Sequence, residues 1–455
     1  MLAETIERWN EMVRAFVWGA PMLVLLIGTG VYFTAKTHLF QLRHMGLWLR
    51  KPLFSCFTGE ARRKSSGGVS PFGVMCTALA ATVGTGNIAG VATALTIGGP
   101  GAVFWMWISA FFGMMTAFAE NTLGMLYRER GKDGAWRGGP MMYLKKGLHS
   151  PFLAGAFALF CVLASFGIGN MSQCNSIAGG LRGVFGVPPQ VTGLVTAVLL
   201  GAVLLGGLGR ISRVTESLVP FMALFYMGGA LFVLWCFRAN LPQACGQILS
   251  AAFDWRAGVG GAAGYGMMQA IRIGVSRGVF SNEAGLGSSV MVHAAADAKE
   301  PCEQGMWAVF EVFFDTIVMC TVTGLVLLVS GVWNGGADGA AMTLSAFSTV
   351  FGGWGKSILA VSIFFFALST LIGWSFFGLE CVSYLCGEKG KGIYLALFFG
   401  MTVVGCLGEL ADIWRIADIC NELLAIPNLL CLFLLRKQVI SLTGTYLSDK
   451  LRKKH

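Results

Sequence analysis

Two stretches of this 455-residue chain place polar, glycine-rich sequence inside long apolar runs. The first is Thr82-Val83-Gly84-Thr85-Gly86-Asn87, at the centre of FGVMCTALAATVGTGNIAGVATALTIGGPG. The second is Phe280-Ser281-Asn282-Glu283, flanked by Gly278, Gly285 and Gly287. Backbone of this kind is tolerated at bilayer depth only where protein buries it or a wet cavity reaches it. Both stretches therefore read as breaks in membrane helices. At such breaks half-helix N-termini bind anionic groups, and freed carbonyls bind a cation or an ammonium group. One small-residue stretch alone would serve close helix packing. Two at matched positions, each with an Asn inside, point to binding. A nucleotide loop is excluded, because Gly84-Thr85-Gly86 with Gly90 lacks the GxGxxG spacing and no strand precedes it.

Other chemistries find little support. The 13 cysteines form no CxxC, and Cys76, Cys161, Cys320, Cys406 and Cys431 lie in apolar segments, where they behave as small hydrophobes. The five histidines form no HExxH. No nucleophile–base pair or metal constellation converges, so an enzyme is not expected and neither is a cofactor. Intramembrane charges are functional candidates by default. Glu120 lies a turn or two from Arg128, as an ion pair or a gate. Glu311 and Asp315 stand at i,i+4 on one helix face and need a partner, for which Arg272 or Arg277 is the candidate. Such a cluster reads as a salt-bridge group ahead of a proton relay. Glu283 is placed to hold the second break open by accepting backbone donors, and Glu380 to be solvated at a cytoplasmic end. Asn170 and Gln173, at i,i+3, are expected on one face, with Asn175 pointing elsewhere as interhelical glue.

The elements that position these residues follow from composition. Only 12% of the chain is charged, against about 25% in globular proteins, and the mean hydropathy is +0.68. That excludes disorder and a water-soluble fold and implies an all-α integral membrane protein. The 63 glycines fit membrane helices that pack closely or break. Apolar stretches of about 20 residues give eleven spans: 16–35, 71–97, 101–127, 151–180, 190–208, 217–237, 262–296, 305–330, 355–385, 392–408 and 416–435. They are continuous apolar runs rather than short alternations, which excludes a β-barrel. With the N-terminus outside, 24 of the 33 basic residues fall on cytoplasmic loops and seven outside, with Arg272 and Arg277 within a span. The net charge of +10 is thus a positive-inside signal and not a nucleic-acid footprint. Glu4, Glu7 and Glu11 stand where a signal peptide would be basic.

Ten spans after the first divide five and five, with a broken span opening each half, one entering from the cytoplasm and the other from outside. That is the arrangement of an inverted repeat, and it argues against a channel. The expected organisation is an N-terminal helix and basic, unpatterned connector (1–70), two five-helix repeats (71–238 and 239–436) and a basic cytoplasmic tail (437–455). Segments 241–253 and 337–351 read as amphipathic extracellular helices, as gates or as covers.

The chain also resembles the alanine or glycine:cation symporter family, the bacterial sodium:alanine symporters. The likeness rests on TALAATVGTGNIAGVATA (77–94), GGPMMYL (138–144), GNMSQCNSIA (169–178), SRGVFSNEAGLGSS (276–289), STLIGWSFFGLE (369–380) and IPNLL (426–430). It implies a LeuT-type fold of inverted five-helix repeats plus one extra N-terminal helix, in the bacterial inner membrane. It implies uptake of alanine or glycine with Na+ by alternating access, with H+ or a larger neutral amino acid as the alternative. By this resemblance Thr85 and Gly86 meet the substrate carboxylate. Phe280 and its neighbours meet the ammonium, and Gln173 and Trp374 shape the side-chain pocket. The carbonyls of Ala80 and Val83 and the hydroxyls of Ser369 and Thr370 hold Na+, and Asn87 serves a second cation.

Overall fold

The structure, a computed structural model, describes residues 19–58, 69–131, 134–253, 262–408 and 411–452. Glu4, Glu7, Glu11, the basic cluster Arg62, Arg63 and Lys64, and the start of span 16–35 lie outside the described residues. The chain is helical almost throughout. In order come α1 (Ala20–Lys36), α2 (Met45–Thr58), α3 (Pro71–Thr82) and α4 (Ala89–Gly98). Next are α5 (Gly101–Tyr127), a hairpin of β1 (Glu129–Arg130) and β2 (Trp136–Arg137), and α6 (Pro140–Lys146). Then follow α7 (Pro151–Phe185), α8 (Pro189–Leu204), α9 (Gly207–Cys236) and α10 (Leu241–Ala252). The second half holds α11 (Ala262–Asn282), α12 (Val290–His293), α13 (Pro301–Val329) and α14 (Gly339–Phe351). It ends with α15 (Gly353–Cys386), α16 (Gly390–Leu407), α17 (Ala411–Leu434) and α18 (Arg436–Arg452).

Local sequence explains where these helices start. Pro71, Pro140, Pro151, Pro189 and Pro301 open helices at a position where the missing N–H costs nothing. Ser70 and Ser150 add side-chain caps to Gly73 N and Leu153 N. Helices α5, α7, α9, α13, α15 and α16 are long and apolar enough to cross a membrane. A bent pair, Ile419–Leu434 and Arg436–Lys450 at 62°, qualifies when taken together. The protein is therefore a multi-pass membrane protein. Central α15 carries Phe366, Trp374 and Phe377, all fully buried, whereas α8 turns Val191, Leu194 and Val198 outward.

Helices also lie within the expected basic connector and the expected basic tail. Within 43–68, α2 buries Trp48 against Phe313, with ring centroids 5.3 Å apart. The basic 437–455 tail forms α18, which buries Val439 and Tyr446 and accepts a 2.8 Å hydrogen bond from Tyr127 on Gln438. Their charges mark one face only, and the apolar face docks. Helices α7 and α13 each contain a π-helical stretch, Gly167–Met171 and Phe313–Cys320.

Candidate functional site

Helix α3 ends at Thr82, a short 3-10 turn runs from Thr85 to Asn87, and α4 resumes at Ala89. The N–H of Gly84, which would continue the helix onto the Ala80 carbonyl, donates instead to Oδ1 of Asn87 at 2.9 Å. The Ala80 carbonyl thereby loses its helical partner. Gly84 is obligatory on steric grounds: a Cβ there would stand 2.4 Å from Oγ1 of Thr370. Thr370 and Ser369 thus lie on the stretch of α15 pressed against the first break. Their hydroxyls donate to the Phe366 carbonyl at 3.0 and 2.8 Å.

The second break lies between α11 and α12. Glu283 has φ +56°, a left-handed conformation that costs a non-glycine residue energy, and Gly285 and Gly287 follow at φ +99° and +76°. The carboxylate of Glu283 accepts from Ser288 Oγ and, at 2.9 Å, from Trp374 Nε1. These are side-chain donors, so the expectation that Glu283 meets backbone donors is corrected. That task falls to Glu120, with Asn428 beside it. Asn428 donates to Glu120 and to the Gly285 carbonyl, at 2.8 Å for the latter, and accepts from Tyr143. The amides of Gly285 and Gly287 also reach Glu120. Glu120 is therefore no partner of Arg128, whose guanidinium donates to the carbonyls of Ala294, Ala296 and Ala298.

The breaks meet each other. A Cβ on Gly86 would lie 3.4 Å from the Phe280 ring, and both residues remain partly accessible between buried neighbours. Asn87 Nδ2 donates to Asp315 Oδ1 at 2.7 Å and Ser281 Oγ at 3.0 Å. Ser281 Oγ and Thr316 Oγ1 donate to Asp315 Oδ2 at 2.7 and 2.8 Å. A buried carboxylate on α13 thus ties both breaks together. The sequence marked Asp315 as an intramembrane acid but not its place. Its neighbour Glu311 also looks onto the second break, but its partner is His293, at 2.9 Å. Neither carboxylate has an arginine among its hydrogen-bond donors, which corrects the expected pairing with Arg272 or Arg277.

Of the expected substrate residues, Thr85 and Gln173 touch, with Thr85 Oγ1 donating to Gln173 Oε1 at 3.0 Å. Trp374 lies over Gly169, where a Cβ would come within 2.5 Å of the Trp374 Cβ. Asn170 does not share the face of Gln173. It donates to the Phe398 carbonyl on α16 at 2.8 Å, because the π stretch changes the angular step between them. Asn175 reaches the Gly408 carbonyl at 3.5 Å. Asn87, expected at a second cation, spends its oxygen on Gly84 and its amide on Asp315 and Ser281. Ala80, Val83, Ser369 and Thr370 are all buried where α3 and α15 pack together.

On another face, β1–β2, α6 and the end of α15 enclose a cavity of about 650 Å³ lined by Arg130, Arg137, Lys145, Glu380 and Glu388. Arg137 and Lys391 pair with Glu388 at 2.7 and 2.9 Å.

Comparison with known proteins adds identity to this geometry. The sequence model of the family described as "Sodium:alanine symporter family" matches residues 3–455. The sodium/alanine symporter AgcS of Methanococcus maripaludis is 44% identical over 442 residues, covering 95% of this chain and 96% of AgcS. An uncharacterized transporter of Haemophilus influenzae is 43% identical over 97% of this chain and 96% of its own. The crystal structure of MhsT in complex with L-phenylalanine aligns with a TM-score of 0.58 at 15% identity, covering 82% of this chain and 90% of MhsT. That likeness concerns the fold.

Proposed function

The chain belongs to the sodium:alanine symporter family, and from that premise we propose that it takes up alanine or glycine together with Na+ by alternating access. It is a secondary transporter and not an enzyme. The observation that carries the substrate reading is the meeting of the breaks, Gly86 against Phe280 with Asn87 and Asp315 behind them. A zwitterion placed there finds N–H groups at the start of α4 and carbonyls at the end of α11. Thr85 and Gly86 take the carboxylate, Phe280 and its neighbours the ammonium, and Gln173 and Trp374 bound the side chain. A wide indole beside a one-carbon side chain rejects larger substrates by collision.

For the ion, the reading uses the carbonyls of Ala80 and Val83 with the hydroxyls of Ser369 and Thr370. Na+ is a hard cation and suits neutral oxygens. Asn87 enters as the rivet between the breaks, with one lone pair of Oδ1 left for any second cation. Eleven spans, two five-helix repeats at 71–238 and 239–436, the N-terminus outside and the C-terminus in the cytoplasm complete the reading. The first broken span is two short helices of 12 and 10 residues, and the second is the 21-residue α11 followed after the break by the short α12. Uptake of labelled alanine into proteoliposomes, with Na+ and pH gradients imposed separately, tests it. Na+-dependent accumulation is expected. Full uptake on a pH gradient alone, without Na+, overturns the Na+ assignment.

A further inference from the structure

Immediately after the second break, α12 ends at His293, whose side chain is fully buried. Its Nε2 lies 2.9 Å from Glu311 Oε2 and its Nδ1 lies 2.6 Å from Gln304 Nε2. Glu311 is 2% exposed and Gln304 fully buried. Oε1 of Glu311 and Oε1 of Gln304 have no hydrogen-bond partner among the described residues. Nothing in the proposed substrate or Na+ sites uses these three side chains.

Charge accounting shows what the group can do. Buried carboxyl groups around the second break include Glu120 on α5, Glu283 in the break, Glu311 and Asp315 on α13, and Glu422 on α17, which lines a small space with Phe280 and Leu286. Glu311 is close enough to Glu120, Glu283 and Asp315 to interact with each electrostatically. The one buried imidazole facing them is His293. Arg128 lies at the rim beyond it, held by carbonyls and facing Asp297. Arg277 lies at the other end, 5.8 Å from the Phe280 ring. One proton added to the neutral His293 imidazole and the Glu311 carboxylate leaves the pair neutral overall. Its removal leaves a net negative charge beside Glu120, Glu283 and Asp315, which a dry interior disfavours. Water reaching the pair removes most of that cost.

Gln304 makes the site serviceable in both states. Its NH2 donates to Nδ1 of a neutral imidazole, and after a half-turn of the amide its oxygen accepts from the Nδ1–H of an imidazolium. The hydrogen bond to the ring survives protonation either way.

We propose that His293 and Glu311 form a proton-binding site. It holds one proton while the cytoplasmic side is closed, and passes it from His293 Nδ1 to cytoplasmic water when that side opens, Nε2–H staying on Glu311. The site deepens the symport reading and rests on it. Alkaline cytoplasmic pH then favours inward opening, and acidic cytoplasmic pH holds the carrier closed.

The test uses proteoliposomes with an inward Na+ gradient and fixed external pH. In the wild type, raising the internal pH from about 6 to about 8 is expected to speed alanine uptake by about threefold or more. Glu311→Gln keeps an acceptor for Nε2–H but cannot exchange the proton, and His293→Asn lacks the imidazole. Both are expected to flatten the internal-pH profile while uptake stays Na+-dependent. A wild-type slope retained in both variants overturns the proposal and leaves symport standing. Loss of Na+ dependence in the wild type itself would instead overturn the symport reading. Should neither variant fold, the solubilised wild type decides. Adding Na+ and alanine in weak buffer with a pH dye should displace protons within this range, and no displacement at any pH overturns the proposal.

Discussion

At the first break the break's own side chains are neutral, and the one carboxylate tied to it, Asp315, comes from α13. Asn87 caps Gly84, Thr85 reaches Gln173, and glycine lets Thr370 approach the backbone. At the second break the ties are carboxylates: Glu283 in a left-handed turn holds Trp374, and Glu120 reaches the amides of Gly285 and Gly287. The difference teaches a division of labour. Neutral oxygens bind a cation without first losing one, which fits the Na+ site proposed at the first break. Buried carboxyls grouped together exchange protons, which fits the proton site proposed at the second.

The largest effect should come from the residue the two breaks share. Asn87→Leu keeps volume but strands the Gly84 N–H and two acceptors, at about 1–3 kcal/mol each. Initial alanine uptake at matched protein levels should fall about 100-fold or more. Near-normal uptake would mean that the breaks are held apart from each other. Next is the neutral side of the comparison. Thr370→Val preserves shape and removes one oxygen, and should raise the Na+ concentration for half-maximal uptake about tenfold, or about 1.4 kcal/mol. Alanine affinity at low Na+ should fall with it and recover at saturating Na+. Poor uptake with unchanged Na+ dependence would move Thr370 from the ion to packing.

Trp374→Ala releases both the indole bond to Glu283 and the wall over Gly169. Alanine affinity should drop by about fivefold, near 1 kcal/mol, while larger neutral amino acids begin to compete. An unchanged competition profile would place Trp374 outside the pocket.

A smaller effect is expected at the solvent-facing latch. Hydrogen bonds from Lys391, Arg137 and Ser383 hold the Glu388 carboxyl down at about 2, against 4.5 unperturbed. A depressed carboxylate contributes fully above its unperturbed value and loses that contribution only as pH falls through about 4.5 towards about 2. Between pH 6 and 8 the latch is therefore constant. Glu388→Gln should change uptake by less than about twofold, exposed pairs being weak, and leave the internal-pH slope untouched. An altered slope would shift the pH sensor from the second break to the surface. Cysteines replacing Lys389 and Asp338 should leave transport unchanged. The first should label only from the cytoplasm and the second only from outside, and labelling from one side at both would break the eleven-span topology.

Both breaks were legible because glycine and amide side chains interrupt apolar runs, a local signal. Their partners were not. Asn87 meets Ser281 across 194 residues, and Glu120 meets Asn428 across 308. Spacing identifies neighbours on one helix, and it singled out Glu311 and Asp315 as intramembrane acids. It has no means of naming His293 as the partner. The error at Asn170 has a local cause, since the expected i,i+3 geometry assumes an α-helix and Gly167–Met171 is π-helical. Charge alone did not show the packing of α2 and α18, where Trp48, Val439 and Tyr446 are buried.

The π stretches also have a bearing on how such a chain changes over time. A π turn is an α-helix carrying one residue too many. One residue corresponds to about 100° of rotation in an α-helix. Deleting a single residue within Phe313–Cys320 would restore regular winding and swing one part of α13 against the other by about that angle, carrying Asp315 out of register with Glu311 or with everything beyond it. The same holds for α7, where Gly167–Met171 separates the early turns from Gln173. Substitutions elsewhere alter one side chain at a time. An insertion or deletion at these two places re-aims a whole half-helix and leaves its sequence intact.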